Sequence, residues 1–138
     1  MKYFSISVSF FFLFLQAQPE LHQFSHDGLS REYYLYLPDS LVASAPLLFV
    51  FHGYSGSANG IMNYSDLNQI ADENGFVVCY PQGLIDDWDY AFWNVGYDWH
   101  ADETVDDVGF SISLAQYLQT EYNLSAHNTF STGMSNGG

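Results

Sequence analysis

The sequence predicts an α/β fold in which a mostly parallel sheet is flanked by helices. Two apolar runs without alternation, Ala45-Pro46-Leu47-Leu48-Phe49-Val50-Phe51 and Phe76-Val77-Val78-Cys79-Tyr80, read as strands buried on both faces, as a helix-covered parallel sheet requires. Between them Met62, Leu67, Ile70 and Ala71 recur at helical spacing, so a helix over 60–74 supplies the crossover that joins two parallel strands. A third run, Asn128-Thr129-Phe130-Ser131-Thr132, is rich in β-branched and aromatic residues and leads into a Gly-x-Ser-x-Gly turn at 133–137.

In chain order, Leu21 to Phe24 and Arg31 to Leu37 flank His26-Asp27-Gly28, a hairpin signal, so the sheet begins antiparallel. The 45–51 strand runs into a glycine-rich loop, His52-Gly53-Tyr54-Ser55-Gly56, and Asn74-Gly75 stops the crossover helix. From Gln82 to Glu103 no regular period is visible, but Trp88, Tyr90, Phe92, Trp93, Tyr97 and Trp99 crowd this stretch. Long loops in small domains are usually functional, so these rings either line a pocket or cap the end of the sheet. Both readings stay open. Thr104 and Asp107 form a capping-box-like start to a helix whose face is marked by Val105, Val108, Ile112, Ala115 and Leu118, ending near Glu121. Asp106 and Asp107 suit the positive end of that helix and are read as structural acids.

Lys2, the uncharged Phe-rich stretch Tyr3 to Leu15 and Gln16-Ala17-Gln18 have the regions of a signal peptide. The apolar stretch is shorter than the ~20 residues of a spanning helix. A leader over 1–17 and one domain over 18–138 are therefore expected, with the product secreted, extracellular or periplasmic. The single cysteine, Cys79, allows no intrachain disulfide and reads as a small core residue. Two Lys plus Arg stand against sixteen Asp plus Glu, a net charge of -14. Such a surface repels phosphate backbones and anionic membranes, so no nucleic-acid partner is expected and no membrane partner after leader cleavage. The acids between Asp86 and Asp107 invite a calcium site, but Asp86-Asp87-Trp88-Asp89 lacks the glycine and terminal glutamate of an EF-hand loop, so they are read as solvated surface with no metal or cofactor.

Gly133-Met134-Ser135-Asn136-Gly137 is the G-x-S-x-G nucleophile elbow of the α/β-hydrolase fold, with a strand before it as the motif demands. Ser135 is expected to follow a central parallel strand with unusual backbone dihedrals. The loop after Phe51 occupies the place of the oxyanion loop, giving the backbone N–H groups of Tyr54 and Asn136 as oxyanion donors. Together with Val78-Cys79-Tyr80-Pro81-Gln82-Gly83, Trp93-Asn94 and Val105-Asp106-Asp107-Val108-Gly109-Phe110, these segments resemble the secreted esterase family of polyhydroxybutyrate depolymerases and feruloyl or acetyl-xylan esterases, over residues 31–138.

That resemblance implies the N-terminal part of an α/β-hydrolase, cut at the nucleophile elbow, acting on an ester substrate: a polyester, an esterified plant polysaccharide or a small ester. It also implies a Ser/Asp/His triad whose acid and histidine follow the serine, beyond Gly138, and a substrate pocket near Trp93 and Asn94. His22, His26, His100 and His127 are read as surface residues, and His52 as a structural hydrogen-bonding residue of the oxyanion loop. A trypsin-like protease is excluded by Asn136 within the motif and by the βαβ pattern. The alternative is a catalytically inactive secreted carbohydrate- or polymer-binding protein, which would explain the aromatic loop but not a glycine elbow after a strand.

Overall fold

The computed structural model describes residues 17–138, so the leader expected over 1–17 lies outside the described residues except for Ala17. Among the described residues no helix is long and apolar enough to cross a membrane. The main strands are β1 (Glu20–His26), β2 (Leu29–Tyr36), β3 (Leu47–Phe51), β4 (Val77–Pro81) and, after the short β5 (Leu84–Ile85) and β6 (Ala91–Phe92), β7 (Thr129–Gly133). β1 and β2 make the expected hairpin. Asp27 and Gly28 turn it with φ of 50° and 77°, the handedness that fits the twist of paired strands. β2 also pairs antiparallel with β4, whereas β4 with β3 and β3 with β7 are parallel, giving the order β1-β2-β4-β3-β7.

Alternation along these strands divides the core into two layers. On one face Tyr33, Leu35, Leu47, Phe49, Val77 and Cys79 pack against Phe110, Leu114 and Leu118 of α3 (Asp107–Glu121). On the other, Tyr36, Val50, Val78 and Tyr80 pack against Ile61 and Met62 of α1 (Ala58–Ser65) and Ala71 of α2 (Leu67–Asn74). Each Val, Leu, Ile or Phe so buried contributes roughly 1.5–3 kcal/mol. Every residue of β4 is buried, and burial pushes the Cys79 thiol well above its usual range, in keeping with a small core residue.

Three expectations need correction. The single crossover helix is two helices, because Asp66 adopts the left-handed conformation, φ 52°, and ends α1 as it begins α2. Helical periodicity continues across the break, so the sequence gives no sign of it. The 82–103 stretch contains the β5–β6 pair and a 3-10 turn at Asp98–His100. Finally, α3 is capped by Asp106, whose carboxylate accepts the Gly109 N–H at 2.8 Å, and not by Thr104. Its buried face is Asp107, Phe110, Leu114 and Leu118, while Val108 and Ile112 are 63% and 54% exposed.

A buried charge pair explains the rotated face of α3. Arg31 is 1% exposed, its Nη2 donates to Asp107 Oδ1 at 2.6 Å, and its guanidinium lies 4.0 Å from the centre of the Phe110 ring. Asp107 therefore points inward, where the sequence reading had a surface acid.

Candidate active site

Local sterics fix the turn after β7. Ser135 has φ 53°, a left-handed conformation that a side-chain-bearing residue adopts only at some cost. The flanking glycines are needed for close approach. A Cβ on Gly133 would collide with the Gly137 carbonyl, and one on Gly137 would stand 2.5 Å from the His52 carbonyl oxygen. The Met134 N–H donates to the Phe51 carbonyl at 3.1 Å, holding the turn against the end of β3. Gly137 and Gly138 N–H groups donate to Met134 and Ser135 carbonyls at 2.9 and 3.0 Å, making one 3-10 turn after the serine. The expected unusual dihedral is present. The strand before it is parallel but forms the outer edge of the described sheet, not its centre.

The loop after β3 lies directly against this turn. A Cβ on Gly53 would be 3.5 Å from Ser135 Cβ. Ser135, Tyr54 and Asn136 line one open recess of roughly 390 Å³, together with Tyr97 and Trp99. Among the described residues neither the Tyr54 nor the Asn136 backbone N–H finds a protein acceptor. Two residues whose backbone N–H groups have no protein acceptor there thus line the same recess as Ser135.

Trp93 and Asn94 lie elsewhere. They line a second recess with Phe51, Val108 and Ile112, which shares Asn136 as a wall. Trp93 is 3% exposed, stands edge-on to Phe51, and donates its indole N–H to the His52 carbonyl at 2.8 Å. The Asn136 side chain clamps the Trp93 backbone from both sides: Oδ1 accepts the Trp93 N–H at 2.8 Å and Nδ2 donates to its carbonyl at 3.0 Å. Asn94 donates its side-chain amide to the carbonyls of Glu103 and Val105, and its backbone N–H to Asp107. Both residues are therefore engaged in joining loops. The rings beside the serine are Tyr97 and Trp99, stacked with centroids 4.5 Å apart. The aromatic composition of the segment was the signal for them; which rings faced outward was not in the sequence.

The histidines divide as follows. His52 is buried, with Nδ1 2.8 Å from the Gly53 carbonyl and Nε2 accepting the Gly83 N–H at 2.9 Å. Those partners make it the Nδ1–H tautomer, and burial lowers its pKa below the ordinary value. It remains a neutral structural residue, as expected. His22 and His26 are half-buried in β1, and His127 is exposed. His100 is not a surface residue: it is 3% exposed, with Nε2 3.2 Å from Asp86 Oδ2.

Asp86, read as solvated surface, is also buried. Burial acts to raise its pKa, but hydrogen bonds from the Tyr54 hydroxyl, the Tyr90 N–H, His100 and the Trp88 N–H outweigh it and hold the carboxyl down to about 2. With four donors already on it, Asp86 has little capacity left for a cation. Among the described residues His26, Asp27 and Asp106 bring ligand atoms within 4.8 Å of one another, but none of them lines the serine recess.

Comparison with known proteins fits this geometry. Residues 31–138 match the profile of the family described as Esterase PHB depolymerase. The chain is 26% identical over 111 residues to a bifunctional acetylxylan esterase/xylanase of Neocallimastix patriciarum, 80% of this chain and 15% of that protein. It is 26% identical over 121 residues to acetylxylan esterase A of Aspergillus oryzae, 86% of this chain and 38% of that one. The solved acetyl xylan esterase from Aspergillus awamori has the same fold, with a TM-score of 0.63 at 23% identity, over 86% of this chain and 43% of its own. The chain thus spans less than half the length of each, and the shared architecture is the α/β-hydrolase fold.

Proposed function

The chain belongs to the Esterase PHB depolymerase family, and from that premise we propose that it carries the nucleophile half of a carboxylic ester hydrolase. The observation that supports this most is the serine at φ 53° sharing one recess with Tyr54 and Asn136, whose backbone N–H groups have no protein acceptor among the described residues. Ser135 Oγ attacks the ester carbonyl carbon while a histidine takes its proton. The carbonyl oxygen becomes an oxyanion held by the N–H groups of Tyr54 and Asn136. Collapse expels the alcohol, which receives the proton from the histidine, and water then hydrolyses the acyl-serine by the same route.

Each donor stabilises the tetrahedral species by roughly 3–4 kcal/mol. Among the described residues no histidine lines the recess of Ser135; both ring nitrogens of His52 are engaged, and His100 faces Asp86. The base and its acid are assigned to the part of the protein that follows Ser135, as the family resemblance implies. Tyr97 and Trp99 would meet the acyl group or a sugar face of the substrate, with Trp93 and Asn94 shaping the pocket from behind through Asn136. Export of the protein is supported by the composition of residues 2–18.

The experiment is hydrolysis of p-nitrophenyl acetate, with fluorophosphonate labelling of Ser135. A product extended beyond Gly138 is expected to turn over and to be labelled, the 138-residue chain to be inert, and Ser135→Ala to abolish both signals. Turnover that survives Ser135→Ala would remove the nucleophile assignment. No turnover or labelling in an extended product that still binds polysaccharide would favour an inactive binding protein.

A further inference from the structure

Asp86 lies between β5 and β6, and its side chain is fully enclosed. Oδ1 accepts the backbone N–H groups of Trp88 and Tyr90, both at 3.0 Å, which closes the turn between the two short strands. Oδ2 accepts the Tyr54 hydroxyl at 2.7 Å and faces His100 Nε2 at 3.2 Å. The Tyr54 ring also packs beside Tyr90 and His100, with centroids 5.6 and 5.8 Å away. One residue on, the Ser55 N–H donates to the Ala91 carbonyl at 2.8 Å. Tyr54, which lines the serine recess, is therefore held through its side chain and through the next backbone amide. Both ties lead to the β5–β6 turn.

We propose that Asp86 is a positioning residue for ester cleavage: by accepting the Tyr54 hydroxyl it fixes the Tyr54 peptide, and so its N–H, in register with Ser135. The inference rests on the ester-hydrolase reading. Every atom of an ionised carboxylate available here is an acceptor, so all four donors can converge on it. An amide of the same shape must turn an NH2 toward at least one of them. Without the tie, this stretch keeps only its backbone anchor at Ala91, and the Tyr54 N–H is less firmly aimed at the oxyanion position. The substrate ground state is barely affected, because the oxyanion exists only after attack.

The test compares wild type, Tyr54→Phe, Asp86→Asn and the double variant in the full-length enzyme. Active sites are titrated with a fluorophosphonate, so that misfolded protein is not counted. Tyr54→Phe keeps the backbone donor and the exposed ring and loses only the hydroxyl, so it is informative even if Asp86→Asn fails to fold. On p-nitrophenyl acetate each single variant is expected to lose about tenfold in kcat per titrated site with KM held within about twofold, the pattern of an interaction made only in the transition state. Affinity for a trifluoromethyl ketone, whose hemiketal adduct with the serine carries an oxyanion, should fall in parallel. The double variant should be no worse than the more impaired single one, because both break the same hydrogen bond.

Single variants that match wild type per titrated site, or losses that multiply in the double variant, would overturn the role of Asp86 and leave the hydrolase reading standing. A wild-type enzyme that neither reacts with the fluorophosphonate nor turns over ester would instead sink that reading, and this inference with it.

Discussion

A methyl group added at Gly137 would stand 2.5 Å from the His52 carbonyl oxygen and 2.8 Å from both the carbonyl oxygen and the Cβ of Phe51. These are backbone and near-backbone atoms of β3 and its loop, with little room to retreat. Gly137→Ala is expected to destabilise the protein by roughly 1–3 kcal/mol, as overpacking does, with a matching drop in the urea midpoint. A variant as stable as wild type would refute the steric account of the motif. The demand acts on residue identity, and so the elbow was legible in the sequence. Burial of individual rings was not, since six aromatics in one irregular stretch give no period from which to choose. The structure makes the choice testable. Trp93→Ala should cost roughly 3–5 kcal/mol of stability, as loss of a buried tryptophan does. Trp99 is 59% exposed, so Trp99→Ala should leave stability within about 0.5 kcal/mol and, in an active enzyme, raise KM for bulky esters. Equal unfolding midpoints for the two variants would contradict this assignment.

At the level of elements, the strands were legible because two of them, β3 and β4, are largely buried and read as unbroken apolar runs, while β7 is marked by β-branched and aromatic residues although it is mostly exposed. The helices were legible in place but not in detail. For α3 the apolar period pointed to Val108 and Ile112, yet a charged residue, Asp107, takes the inward position because Arg31 of β2 reaches across to it at 2.6 Å. Sequence periodicity counts apolar residues and is blind to an acid whose partner lies 76 positions away. Arg31→Met is therefore expected to cost roughly 3–5 kcal/mol by stranding the Asp107 charge, measured by denaturant unfolding. Adding Asp107→Leu should recover much of that loss, although the Asn94 N–H then loses its acceptor. If Arg31→Met alone is neutral, the pair does not hold α3 to the sheet.

Across the whole molecule, Arg31 is the one Lys or Arg among the described residues, and it is spent inside. The surface carboxylates therefore have no Lys or Arg partner there. Raising ionic strength from about 0.01 M to about 1 M shortens the Debye length from roughly 30 to 3 Å, so the thermal midpoint at neutral pH should rise with salt. With repulsion screened, acidification exposes the buried groups. The His52 pKa is lowered on folding, so the native state binds fewer protons than the unfolded chain, and stability is fully present above pH 6.5 and lost as pH falls through its folded value. Asp86, held at about 2 against 3.8 when unperturbed, adds a second decline between those two values. A thermal midpoint in high salt that is unchanged from about pH 7 to pH 5 would contradict the burial of a neutral His52. The clamp between Asn136 and the Trp93 backbone has a consequence for which positions tolerate change. With the Trp93 indole bond to the His52 carbonyl, it ties the turn at Ser135, the loop after β3 and the inner part of the aromatic segment into one mechanical unit. Tyr97 and Trp99 lie outside that unit, so exchanging those rings is expected to leave the turn at Ser135 undisturbed, and under the proposed function they are the positions where an engineer would retune selectivity one ring at a time.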